Sequence, residues 1–117
     1  MSLYREKYQA LVTLLEQLRP DATTTQIDVP ELRRCVASLQ QLFAKEIVPL
    51  ANQDSRVQSY QTEISKQLRL LEIDVMFFQG ARQASTVETR LQTISDRLTT
   101  LIQYCDAILQ PEAEGEK

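Results

Sequence analysis

The sequence predicts an all-α protein, an antiparallel up-down-up-down four-helix bundle. Three observations carry that expectation. Apolar residues recur at alternating steps of three and four through four long segments, which is the period of one face of an α-helix. The connections between the segments are short and are punctuated by Pro20, Pro30, Pro49 and Gly80, as in a bundle of sequential neighbours. Only two glycines and no tryptophan are present, so few long elements are favoured over many short strands. A three-helix bundle with its first helix exchanged into another chain is the lesser alternative.

The first helical segment runs from Leu3 to Arg19. Tyr4, Tyr8, Leu11, Leu15 and Leu18 form its stripe, the seam of a helix packing at a shallow angle. Val12 and Leu14 widen the stripe, Ser2 is the expected N-cap, and Pro20 is expected to stop the helix. Asp21 to Ile27 has no apolar period and reads as a loop. Its Thr23-Thr24-Thr25 run is either a modification site or, by preference, a polar connection with good turn chemistry.

The second helix has a strong start signal, Asp28-Val-Pro-Glu31. Asp28 can accept from orphan backbone N–H groups, Glu31 can reach back, and Pro30 has no N–H to lose. Leu32, Val36, Leu39 and Phe43 make the stripe, with Leu42 and Ile47 beside it. Pro49 either ends the helix near Ile47, the favoured reading, or kinks it. Leu50 to Gln53 is then a connection.

Asp54 or Ser55 caps the third helix, whose stripe is Val57, Tyr60, Ile64, Leu68, Leu71, Val75 and Phe78. Gly80 fits a helix C-cap. The fourth helix opens on a second capping-box pattern, Ser85-Thr-Val-Glu88. It carries the cleanest stripe of the chain: Val87, Leu91, Ile94, Leu98, Leu101, Cys105 and Ile108, flanked by Ile102 and Leu109. Pro111 ends it. The chain therefore reads as one domain over 1–110 with a short acidic tail over 111–117.

Composition narrows the chemistry. The 13 basic and 16 acidic residues give a net charge of -3 and are interspersed, with no Lys or Arg run. A nucleic-acid or anionic-membrane surface needs clustered cations, so neither is expected. The absence of histidine removes the commonest general base and transition-metal ligand. Cys35 and Cys105 cannot make a zinc site alone, and in such a bundle Cys35 near the start of the second helix and Cys105 near the far end of the fourth lie on the order of 20 Å apart, as two separate thiols. Glu72 and Asp74 are two apart on a helix and point away from each other. Glu63 and Lys66 form an ordinary i,i+3 pair. The four tyrosines suggest base stacking, but Tyr8 and Tyr60 lie on core stripes with no basic groove beside them. No phosphate loop, nucleophile motif or metal cluster is present, so no enzyme and no cofactor is expected. The charged start, Arg5, Glu6 and Lys7, with no long apolar run after it, points to a cytoplasmic protein.

One stretch breaks the one-sided pattern. Within Leu68 to Phe78, the residues Leu68, Leu71, Val75 and Phe78 continue the stripe, while Leu70, Ile73 and Phe77 repeat on nearly the opposite side. A helix apolar on both sides must be covered on both. Either neighbouring helices wrap it, or the second stripe is an interface. The second reading is preferred, and it makes Leu70, Ile73 and Phe77, with Arg69, Asp74 and Met76 beside them, the candidate partner-binding residues. A homodimer is one occupant of such a patch.

The run Ser55-Arg-Val-Gln-Ser-Tyr-Gln-Thr-Glu-Ile-Ser-Lys-Gln-Leu-Arg-Leu-Leu-Glu-Ile-Asp-Val-Met-Phe-Phe-Gln79 resembles the most distinctive part of the PatD family, small helical proteins of cyanobacteria. The segment Ser95-Asp-Arg-Leu-Thr-Thr-Leu-Ile-Gln-Tyr-Cys-Asp-Ala-Ile-Leu109 is similar too. The resemblance implies a non-enzymatic role in cell division and heterocyst frequency, through binding the tubulin-like division protein FtsZ and promoting its assembly. The alternative is a helical adaptor or assembly factor with an unrelated protein partner.

Overall fold

The computed structural model describes residues 3–23, 28–50 and 54–110. Four α-helices account for most of them: α1 (Leu3–Thr23), α2 (Val29–Leu42), α3 (Ser55–Gly80) and α4 (Ala84–Leu109), with a π-helical turn, Phe43–Ile47, continuing α2. No strand occurs among the described residues. Each helix packs against its neighbours in a ring, α1 on α2, α2 on α3, α3 on α4 and α4 back on α1. Cross-helix bonds show the directions. Arg56 at the start of α3 donates to the carbonyl of Ala107 near the end of α4. Arg5 at the start of α1 donates to the carbonyl of Leu109, and Lys7 of α1 meets Glu46 of the π turn at 2.6 Å. Adjacent helices are therefore antiparallel, the arrangement expected of short connections.

The stripes meet in one core. Leu11, Leu15, Val36, Leu39, Ile64, Leu68, Leu71, Leu98 and Leu101 are all buried in it, with Tyr8, Ile94, Cys105 and Ile108 among their neighbours. Val12 joins the core, whereas Leu14 faces outward. Val87 and Leu91, nearest the α3–α4 link, are only half-buried. Arg19, close to the end of α1, already reaches Thr99 of α4, so α1 ends before it can cover the first turns of α4.

Several helix ends differ from the sequence expectation. α1 does not stop at Pro20 but runs to Thr23. A proline this late in a helix forgoes one backbone bond, to the carbonyl of Glu16, and the last turn proceeds without it. The expected loop therefore loses residues 21–23 to the helix. Thr24 to Ile27 lie outside the described residues, as do Ser2, residues 51–53 and the tail over 111–117. Asp28 caps α2 as expected, accepting from the Glu31 N–H, with Pro30 in the first turn. Glu31 does not complete the box; its carboxylate bonds Arg34 one turn on. Asp54 caps α3 through the Arg56 N–H at 2.8 Å.

α2 ends near Ile47 rather than kinking at Pro49, and it ends through the π turn. The Val48 N–H reaches back five residues to the carbonyl of Phe43. The reason lies in the phase of the stripe. Two successive four-residue steps, Leu39 to Phe43 to Ile47, would swing a regular helix about 80° off its face. The wider π turn holds Phe43 and Ile47 in the core.

At the α3–α4 link, Gly80 is the last helical residue of α3 and has no left-handed conformation. Ala81 leaves the helix in extended conformation, so glycine's freedom is not used. α4 starts at Ala84, before Ser85 could cap it. Only Ala81 to Gln83 separate the two helices, and so short a link starts α4 early. Gln83 stands at the cap position without a side-chain bond, and its carbonyl accepts from Val87. Ser85 and Glu88 thus lie inside the first turns, not in a capping box.

These geometries make two measurements. Leu11→Ala, Leu71→Ala or Leu98→Ala should each cost roughly 2–5 kcal/mol in denaturant unfolding. Gly80→Ala should instead stabilise by about 0.5–1 kcal/mol, because a Cβ there meets nothing within 4 Å. A loss of stability in that variant would show that Gly80 needs a conformation only glycine adopts.

Candidate functional site

The second stripe of α3 is uncovered at its centre. With one side of α3 in the core, Ile73, Met76 and Phe77 point outward and are 38%, 62% and 54% exposed. Leu70, between them and the α4 side, is half-buried, and Arg69 is exposed. The guanidinium carbon of Arg90, from α4, lies 4.8 Å from the Phe77 ring centroid, a cation–π contact that shields one side of the ring. Five of the six predicted residues therefore gather on or beside one outward surface.

The sixth, Asp74, does not. It is buried at 9% exposure, one position before the core residue Val75 and turned toward α4. Arg97 donates from Nε to its Oδ2 at 2.9 Å and from Nη2 to its Oδ1 at 3.5 Å. The remaining arm of Arg97 reaches Gln67 Oε1 at 3.0 Å. Asp74 is thus half of a forked ion pair joining α3 to α4, not a residue available to a partner. The helix register that brings Arg97 to Asp74 is not written in either segment. Glu72 turns to the other neighbour, α2, where Gln40 Nε2 donates to it at 3.3 Å and also to the carbonyl of Leu68. The two acids do point apart, as their spacing requires.

Three shallow depressions lie between α2 and α3 and share their walls. The first is bordered by Pro30, Arg33 and Met76, the second by Ala44, Arg69 and Ile73, and the third by Val48, Gln61 and Lys66. Gln40, Glu72 and Met76 belong to both the first and the second, and Phe43, Ser65 and Arg69 to both the second and the third. They form one continuous groove along the outside of the bundle, which sequence reasoning missed. The signal available for it was the row of small residues, Ala37 and Ala44 on α2 and its π turn and Ser65 on α3, which lowers the groove floor. Val48, 49% exposed, marks its far end.

Several other polar and sulfur-bearing side chains make contacts within the bundle. Tyr60 and Tyr104 pack on each other across α3 and α4, with centroids 5.7 Å apart and planes tilted 47°. Glu63 and Lys66 pair at 3.4 Å as the spacing predicts. The side-chain bond from Arg34, and then its charge, hold the Glu31 carboxyl below its ordinary pKa. No disulfide joins the cysteines. The half-buried Cys35 thiol lies 3.7 Å from Glu31 Oε2, and Cys105 is fully buried. Burial disfavours the Cys105 thiolate, Asp106 adds a like charge, and the thiol is pushed up to about 12. No described helix is long and apolar enough to cross a membrane.

Two predictions follow from these buried groups. Arg97→Ala leaves the Asp74 carboxylate without its cation and should cost roughly 2–3 kcal/mol, less than a fully buried pair because both side chains keep some water contact. The double variant Asp74→Leu with Arg97→Met should cost clearly less than Arg97→Ala in the same denaturation assay. Cys105 makes the second. Its folded pKa is raised, so its contribution is fully present below the unfolded thiol value near 8.5–9 and is lost as pH rises toward about 12. Stability should fall across that window by up to about 1.4 kcal/mol per pH unit more than in Cys105→Val. Equal slopes in the two proteins would remove Cys105 as the cause.

Comparison with known proteins yields one family. No curated protein and no solved structure matches the chain. Residues 9–105 match the family described as the CRR41 C-terminal domain. That match takes in all of the core-forming segments except the last turn of α4 and the first residues of α1, and the chain accordingly belongs to the CRR41 C-terminal domain family.

Proposed function

We propose that the protein is a non-enzymatic docking module of the cytoplasm, an adaptor or assembly factor that binds another protein through the outer face of α3. One observation carries this reading. Ile73, Met76 and Phe77 hold a large apolar surface in water on a helix whose opposite side is fully packed. A folded monomer gains nothing from that exposure, and such patches mark interaction sites. Rigid α3 presents them in fixed geometry, which lowers the ordering cost of binding.

FtsZ is the specific partner within this reading. Its support is the resemblance of residues 55–79 and 95–109 to the PatD family, to which the match with the CRR41 C-terminal domain adds nothing. Docking on the FtsZ polymer would stabilise filaments or their lateral contacts, and through them influence division and heterocyst frequency. A second copy of the chain is the competing occupant of the patch.

The double variant Ile73→Asp with Phe77→Asp tests the reading. Both positions are exposed, so circular dichroism should show unchanged helicity and a nearly unchanged thermal transition. Co-sedimentation with FtsZ polymers, and any self-association seen by analytical ultracentrifugation, should be lost. Unfolding of the variant would make the patch part of the core. A wild-type chain that does not sediment with FtsZ would remove FtsZ and leave the adaptor reading with another partner.

A further inference from the structure

The groove between α2 and α3 has a charge character opposite to that of the whole chain. The protein carries a net charge of -3, yet the groove is bordered by Arg33, Arg34, Lys66 and Arg69 against a single acid, Glu72. Two of these cations are already matched, Arg34 by Glu31 and Lys66 by Glu63. Arg33 and Arg69 have no ion pair among the described residues. They stand on opposite walls, Arg33 on α2 at the first depression and Arg69 on α3 at the second and third; Met76 and Ile73 give the groove an apolar stretch toward one end and Val48 another at the far end, with Gln40 and Glu72 between Arg33 and Arg69.

The dimensions suit one kind of occupant. From Gln61 to Met76 the α3 wall is about 22 Å long at the standard helical rise. That equals roughly four helical turns. The wall of the groove is lined at Ala37, Ala44 and Ser65 by residues small enough to admit a third helix against α2 and α3. Exposed Val48, Ile73 and Met76 offer contacts for the apolar side of that helix, in the manner of helix-in-groove recognition.

We infer that this groove seats an amphipathic helix of a partner protein, about four turns long, with acidic residues flanking its apolar stripe so that they meet Arg33 and Arg69. This inference rests on the reading of the chain as a docking module and specifies the chemistry of what docks. A second copy fits less well. A two-fold contact through the same groove would bring the Arg33 and Arg69 of one copy toward those of the other. A nucleic-acid backbone fits less well too, because Glu72 sits in the middle of the groove, and Phe43, the aromatic residue that borders it, is buried and offers no platform for bases.

The test uses the full chain and two synthetic peptides of about 16 residues. Both carry Leu at the i, i+4 and i+7 spacing; one is flanked by Glu and its twin by Lys. By fluorescence anisotropy at low salt the acidic peptide should bind at least about tenfold more tightly than the basic twin, and added salt should narrow the difference. Backbone amide shifts should concentrate at Ala37, Ala44, Ile73 and Met76. Arg33→Glu with Arg69→Glu should reverse the preference while leaving helicity unchanged, and Arg33→Gln with Arg69→Gln should abolish it should the charge reversal disturb folding. Equal binding of the two peptides, shifts confined to the α1–α4 side, concentration-dependent shifts of groove residues without peptide, or displacement of the acidic peptide by an oligonucleotide of similar length would each overturn the inference. If the peptides fail but Ile73→Asp with Phe77→Asp still abolishes partner association, the docking reading stands and the groove assignment falls. If the acidic peptide binds the groove while Phe77→Asp alone, at a patch position that borders none of the three depressions, keeps its partner, the groove stands and the assignment of docking to the outer patch of α3 falls.

Discussion

The link of three residues between α3 and α4 constrains everything else in the bundle. Two helices of 26 residues joined so tightly can only lie antiparallel and side by side. Small errors of register would then be multiplied along the full length of both stripes. Side chains hold that register at two separated levels. The Asp74–Arg97 fork sits near the middle, and Arg56 bonds the Ala107 carbonyl toward the far end. With this pair of helices aligned, Ile64, Leu68 and Leu71 face Ile94, Leu98 and Leu101, and a continuous apolar wall is ready for α1 and α2. α1 covers α4 and α2 covers α3. The outer side of α3 is what remains once every neighbour is in place.

This explains which parts of the fold were legible in the sequence. Core positions such as Leu11, Leu71 and Leu98 follow from periodicity, because a helix can bury only residues that recur on one side. Helix ends were harder. Pro20 costs α1 a bond without ending it, Gly80 offers a left-handed turn that the chain does not take, and Ser85 offers a cap that the short link passes by. At Ser85 the short link outweighs a capping preference of about 1 kcal/mol, and at Pro20 the helix continues past a residue that costs up to about 3 kcal/mol in a helix interior. The π turn is legible only afterwards, in the two successive four-residue steps from Leu39 to Ile47.

The outward surface divides in the same way. Ile73 and Phe77 were recognisable as a second stripe because they repeat opposite the first. Asp74 was misplaced because a carboxylate beside apolar residues reads as solvent-facing until a cation on another helix is known to reach it. The groove was missed for a related reason, although Ala37, Ala44 and Ser65 hint at it. It belongs to two helices at once, and neither α2 nor α3 carries by itself a pattern that describes the space between them.

The end of α4 behaves differently from an ordinary helix terminus. No glycine motif closes it, and Gln110 leaves it in extended conformation. Two of its last four carbonyls accept instead from guanidinium groups from elsewhere, Arg56 of α3 at Ala107 and Arg5 of α1 at Leu109, which also place positive charge at the negative end of the helix dipole. Helices normally fray from their tips inward, turn by turn. Here the tip is tied to the first turns of two other helices, more than fifty and one hundred residues back along the chain. Opening the last turn of α4 therefore means releasing both of those ties, so amide exchange at this terminus reports on the integrity of the whole bundle rather than on local unravelling.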